Sequence, residues 1–196
     1  AAALQGLARA QCNLAWCYEY GKGVEQSPRR AVYWYRKAAE QKDLRGMFSL
    51  GACYKRGEGV SQDWEQAVYW YTQAADGGYA AAQCNLGVCY ERGEGVGKDC
   101  ARAAELYRAA AEQGDPVGQC NLGYLYELGE GVSQSWETAV YWYRKAVERE
   151  HPRAQYHLAW CYEHGKGVRR DRQQAMELYE SAARQDYQDA AERAAH

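Results

Sequence analysis

The chain has 196 residues, with 24 Lys+Arg against 26 Asp+Glu and a formal net charge of −2; no basic surplus points to nucleic acid. No apolar run approaches the roughly 18 residues needed to span a bilayer, and the opening AAALQGLARA has neither a charged leader nor a long apolar segment. Eight Cys in a chain of this length and apolar content require no disulfide framework. A cytoplasmic protein with no membrane partner is expected. It lacks an initiator Met, so it is expected to be processed or to be part of a larger chain.

The first predicted helix carries Ala10, Leu14, Cys17 and Tyr18 at i, i+4, i+7 and i+8, one helical face. The sequence GKGV from Gly21 ends it with a residue free to take positive φ, then a tight turn that Val24 plugs into the core. Ser27 is a good N-cap and Pro28 suits the first position of a second helix, whose apolar stripe is Ala31, Val32, Tyr35, Ala38 and Ala39. The same pattern returns every 36 residues: Leu14, Leu50, Leu86, Leu122, Leu158, and Tyr35, Tyr71, Tyr107, Tyr143, Tyr179. Caps recur at Asp63, Asp99, Ser135 and Asp171, and small residues at Ala15, Gly51, Gly87, Gly123 and Ala159 let helices approach closely. Five units follow, 8–43, 44–79, 80–115, 116–151 and 152–187, each a helix A, a turn and a helix B; 188–196 reads as a cap or partial sixth unit, with Ala194 where Leu is wanted. A helix pair this short cannot bury its own apolar face, so neighbours must stack.

The pattern A-x-x-x-L-G-x-x-Y-x-x-G-x-G-V, followed by D-x-x-x-A-x-x-W/L-Y-x-x-A-A, resembles the Sel-1-like repeat family, a relative of tetratricopeptide repeats. The third unit carries it as AAQCNLGVCYERGEGVGKDCARAAELYRAAAEQG. The resemblance implies an all-α fold, a right-handed α-α superhelix formed by a single solenoid of five tandem repeats. It also implies an adaptor or scaffold that holds a protein or peptide, with no cofactor and no catalysis. A disulfide-rich secreted branch of the family carries Cys at the end of helix B and another eight residues on; here that end reads KAAEQ, QAADG or KAVER.

Several residues suggest chemistry when read alone. GEGVGK lacks the spacing and final Ser or Thr of a phosphate-binding loop, and recurs as a turn. Cys12, Cys84 and Cys120 share a column with Phe48 and Tyr156, and Cys17, Cys53, Cys89 and Cys161 share one with Leu125, the behaviour of small apolar residues. Cys84 and Cys89 would point roughly 140° apart around a helix. His157, Cys161 and His164 share a face at i, i+4 and i+7, which suits zinc or a Cys–His nucleophile; this is the enzyme alternative to the scaffold reading.

Positions 9, 13, 16 and 20 of helix A fall within about 60° of one another, away from the Leu14/Tyr18 face. The tetratricopeptide resemblance makes this the concave, partner-binding stripe: Arg9, Asn13, Trp16 and Tyr20, then Arg45 and Arg56, Asn85 and Arg92, Asn121 and Tyr124, and His157, Trp160 and His164. In tetratricopeptide grooves the equivalent Asn bonds a bound peptide. Here Asn13, Asn85 and Asn121 either grip an extended backbone or merely solvate the helix face and bond the neighbouring A helix. Trp16 and Trp160 are expected to be exposed anchors. Tyr33, Tyr69 and Tyr141 on helix B form a second aromatic column, either a contact surface or cover for adjacent helices, and Trp34, Trp70 and Trp142 read as packing residues.

Overall fold

The local signals read from the sequence produce the elements they predict. In a computed structural model that describes residues 7–185 and 187–190, ten helices follow one another among the described residues and there are no strands. They are α1 (Ala8–Tyr20), α2 (Pro28–Glu40), α3 (Leu44–Arg56), α4 (Trp64–Asp76), α5 (Ala80–Arg92), α6 (Cys100–Glu112), α7 (Pro116–Leu128), α8 (Trp136–Val147), α9 (Pro152–His164) and α10 (Arg172–Ala183). Odd-numbered helices are the A helices and even-numbered ones the B helices, so the chain is an all-α tandem array of helix pairs. Two expectations lie outside the described residues: the reading of the opening AAALQG, and that of 191–196 with Ala194. Among the described residues no helix is long and apolar enough to cross a membrane.

The chain divides into two compact units, Ala1–Lys98 with α1–α5 and Asp99–His196 with α6–α10. Within each, the principal packing is between helices adjacent in the chain. The apolar stripe of helix B is the core: Ala31, Val32, Tyr35, Ala38 and Ala39 are all buried, and Tyr35, Tyr71, Tyr107 and Tyr143 are fully so. The Leu column is buried at Leu50, Leu86, Leu122 and Leu158, whereas Leu14 is half-buried because no described repeat precedes it. A column absent from the expected core is buried too: Gln11, Gln83, Gln119 and Gln155. These amides tie helix A to the end of the preceding helix B or to the end of their own repeat. Gln83 Nε2 donates to Ala75 O at 3.3 Å and Gln119 Nε2 to Ala111 O at 3.2 Å, while Gln11 and Gln155 accept from Gln41 and Gln185.

Caps follow the expected column. Asp63, Asp99, Ser135 and Asp171 each accept the backbone N–H three residues on; Ser27 has N-cap backbone geometry without that bond. Three A helices are capped as well, by Asp43, Asp115 and His151. The first glycine of every turn ends helix A in the left-handed region, at φ 66–73°. The second glycine does more. Gly131 has φ 70°, and a Cβ there would overlap the Cys100 carbonyl at the start of α6. The same overlap recurs for Gly59 on Pro28, Gly95 on Trp64 and Gly167 on Trp136. Gly23, with no described repeat before it, has φ 73° and nothing within 4 Å.

Two measurements test this description. Gly23→Ala is expected to cost about 1–2 kcal/mol, the left-handed penalty alone, and Gly131→Ala about 3–4 kcal/mol because repeats must also separate. Equal shifts in urea midpoint would show that the carbonyl contact carries no weight. His151 accepts the Ala154 N–H through Nδ1 at 3.3 Å, and burial first, then the Arg153 guanidinium, lowers its pKa from 6.5. A lowered folded pKa means that the stabilisation is complete above the unfolded value and is lost as pH falls through the folded one. The urea midpoint should therefore begin to drop as pH falls below about 7, and drop less in His151→Asn, which keeps a cap but does not titrate.

Candidate functional site: the exposed stripe of the A helices

In the first unit the stripe begins on α1. Arg9 and Asn13 are exposed, and Trp16 and Tyr20 are 45% and 55% exposed with ring centroids 5.3 Å apart. On α3, Arg45 is exposed, and Arg56 reaches back to Glu19 at 2.8 Å while also holding Glu58 at 2.7 Å. That contact puts the stripe residues of α1 and α3 on one side, beside a cleft of about 410 Å³ that Tyr20, Gln26 and Cys53 also line. On α5, Asn85 Nδ2 donates to Ala81 O of its own helix at 3.0 Å, and Arg92 lies 4.0 Å from Glu94.

In the second unit the stripe residues of α7 and α9 interlock. Asn121 is buried and accepts from Arg153 Nη1 at 3.1 Å, and the Arg153 guanidinium lies 4.9 Å over the Tyr124 ring. His157 stacks on Tyr143 with centroids 5.2 Å apart and planes 15° apart, sits 5.3 Å from Tyr124, and places Nδ1 3.3 Å from Glu127 Oε2. The Tyr143 hydroxyl donates to the same carboxylate oxygen at 2.5 Å. Burial pushes the Glu127 carboxyl up, yet the hydrogen bonds from His157 and Tyr143 outweigh it and hold the pKa below the ordinary value. Burial and that carboxylate drive the Tyr143 phenol far above its ordinary range. Trp160, expected to be exposed, is half-buried because it stacks on Trp136 of α8 at 5.4 Å and on His164 at 4.2 Å. Among the described residues no helix B ring covers Trp16, which stays open to solvent beside Tyr20.

The cysteine and histidine chemistry does not assemble. Cys161 is fully buried and burial pushes its thiol up to about 12; His157 turns to Glu127, and His164 Nδ1 lies 3.0 Å from the Trp160 carbonyl. No group of three metal-ligating side chains exists among the described residues. All eight cysteines are free thiols. Six of them are buried, among them Cys84 and Cys89, as their columns suggested.

What sequence reasoning missed is the polar column beneath the stripe. Glu19, Glu127 and Glu163 each accept the hydroxyl of a buried Tyr sixteen residues on: Tyr35, Tyr143 and Tyr179. In the second repeat Lys55 stands in that column, and the buried Tyr71 hydroxyl has no hydrogen-bond partner among the described residues. A signal was available in the Glu column itself, broken at one position. Tyr143→Phe is expected to cost about 1.5–3 kcal/mol, the value of a hydrogen bond to a charged group. Tyr71→Phe should be neutral or stabilising by up to about 1 kcal/mol, since it removes an unsatisfied hydroxyl. Urea denaturation of both variants measures this, and similar losses in the two would refute the assignment.

Comparison with known proteins agrees with this architecture. Residues 8–43, 44–79, 80–115, 116–151 and 152–187 each match the Sel1 repeat. A protective antigen of uropathogenic Escherichia coli displaying an SLR fold superposes with a TM-score of 0.90 at 37% identity, over 98% of this chain and 41% of that one. A Sel1 repeat protein from Oxalobacter formigenes superposes at 0.91 and 34% identity, over 95% of this chain and 74% of that one. Chitin synthase regulatory factor 3 of Schizosaccharomyces pombe is 52% identical over 40 residues, 20% of this chain and 4% of that protein. The chain thus spans less than half of the antigen and a small part of the regulator. Sel1-repeat proteins generally serve as protein-interaction scaffolds, and the repeat is generally non-catalytic. With five repeats matched in register and a left-handed glycine ending every helix A, the chain belongs to the Sel1 repeat family.

Proposed function

We propose that the chain is a non-catalytic scaffold that binds a peptide or protein segment on the exposed stripe of its A helices. The observation that carries this reading is the Trp16–Tyr20 pair, two large aromatics side by side at 45% and 55% exposure with Arg9 and Asn13 beside them. Trp, Tyr and Arg dominate interface energetics because they bury much area at low entropic cost. The second unit supports it with Tyr124, Arg153, Trp160 and His164, whose rings are already fixed against one another. Fixed anchors lose little side-chain freedom on binding.

The balance of anchors differs from an amide ladder. Asn85 is bonded to its own helix and Asn121 to Arg153, so aromatic and guanidinium groups offer the larger free surface. The test is an affinity pull-down with quantitative mass spectrometry, comparing wild type with Trp16→Ala/Tyr20→Ala and with Asn85→Ala/Asn121→Ala/Trp160→Ala. Recovery of specific partners should fall by about tenfold or more in the Trp16/Tyr20 variant, the scale of one to two lost anchors, with its thermal midpoint little changed. Equal recovery from all three proteins would overturn the stripe assignment.

A further inference from the structure

Four arginines line one cleft of the second unit. A space of about 660 Å³ is bounded by Arg144 of α8, Tyr162 of α9, the turn residues Arg169, Arg170 and Asp171, and Arg172 at the start of α10. Among the described residues none of the four arginines pairs with a carboxylate, whereas Arg56, Arg92 and Arg102 each do. Asp171, the acidic residue of the lining, is engaged as the N-cap of α10 and accepts the Gln174 N–H at 3.1 Å. Two of the cations are held in place by groups that leave their charge uncompensated. Arg144 donates to the Tyr162 hydroxyl at 3.0 Å and lies 5.8 Å over that ring, and Arg170 Nε donates to the Glu163 carbonyl at 2.8 Å.

The repeat supplies its own control. The positions equivalent to Arg144, Arg169, Arg170 and Arg172 are Arg36, Ser61, Gln62 and Trp64 in the first unit, and Arg108, Ser133, Gln134 and Trp136 earlier in the second. Arg36 and Arg108, which hydrogen-bond a Tyr hydroxyl in the same way, serve packing. At the other three positions the earlier steps carry no charge: Gln62 and Gln134 make the bond that Arg170 makes to a helix A carbonyl, but as neutral amides, and Ser and Trp stand where Arg169 and Arg172 do. Massed like charges repel, and in a chain of net charge −2 their concentration here marks a place where negative charge is received.

We infer that this cleft binds an acidic peptide segment, its carboxylates received by the Arg144, Arg169, Arg170 and Arg172 guanidiniums. Guanidinium forks match carboxylates bidentately, and the space accommodates several such groups, more than one small anion fills. A nucleic-acid strand runs on past any cleft of this size and would meet a surface of net negative charge, whereas a short acidic segment ends where the arginines end. The cleft uses different elements from the aromatic stripe of α1, and its occupancy does not depend on that stripe.

The test is fluorescence anisotropy of a labelled polyglutamate peptide titrated with the full chain at low and at physiological salt. Arg169→Gln/Arg170→Gln/Arg172→Gln should weaken binding by about tenfold or more, and Arg144→Gln alone should weaken it less. Lys22→Gln/Arg29→Gln/Lys98→Gln, which removes the same charge from exposed positions elsewhere, should stay within about twofold of wild type, as should Trp16→Ala/Tyr20→Ala. Circular dichroism melts of each variant separate binding loss from unfolding, and the single Arg144→Gln change covers the case in which the triple variant misfolds. Absence of saturable binding, equal weakening by both triple variants, or tighter binding of a single-stranded oligothymidylate than of polyglutamate would overturn the inference.

Discussion

A glycine pressed against a peptide carbonyl sets the distance between successive repeats in each unit. Gly59, Gly95, Gly131 and Gly167 meet the carbonyls of Pro28, Trp64, Cys100 and Trp136 with no room for a Cβ. Because the contact is backbone to backbone, it sets how far one turn stands from the helix before it. The longer-range bonds then fall into place: buried Gln amides reach the end of the preceding helix B, and Arg36, Arg108 and Arg144 reach the Tyr54, Tyr126 and Tyr162 hydroxyls of the next helix A. Directional bonds of this kind tolerate little displacement, so they inherit their geometry from the glycine.

The buried tyrosines impose the second constraint. A phenol carried into an alanine-rich core needs an acceptor for its hydroxyl, and Glu19, Glu127 and Glu163 supply one from helix A. In the second unit this couples interior and surface, since Glu127 Oε2 lies between the Tyr143 hydroxyl and His157 of the stripe. The stripe there is locked by stacking and hydrogen bonding. In the first unit, Trp16 and Tyr20 touch mainly each other and solvent.

The features legible in the sequence were those set by local backbone chemistry. Positive φ at Gly21 and its equivalents, caps at Asp63 through Asp171, and the Ala/Tyr stripe of helix B each depend on residues a few positions apart, and five copies made them stand out. The misses were pairwise and distant. A Glu sixteen residues before a Tyr looks like an ordinary solvated charge until the turn folds one over the other, and the same holds for Gln119 beneath Ala111. Trp160 read as an exposed anchor because its cover, Trp136, comes from the preceding repeat's helix B. At Tyr124 and His157 the rings of two stripe positions meet. Helical phase alone did not show that Asn121 would be buried under Arg153.

The glycine contact also bears on how such a chain diversifies. Its acceptor is a main-chain oxygen, and the residues that provide it are Pro28, Trp64, Cys100 and Trp136, with no side-chain property in common. The residue after the turn valine varies likewise, from Glu25 and Ser61 through Gly97 to Arg169, while the next keeps one bond to a helix A carbonyl from either a Gln or an Arg. Duplication of such a segment therefore yields a frame whose geometry is insensitive to these letters. Substitutions can accumulate at the turns and recode the surface one repeat at a time, leaving the spacing of the array untouched.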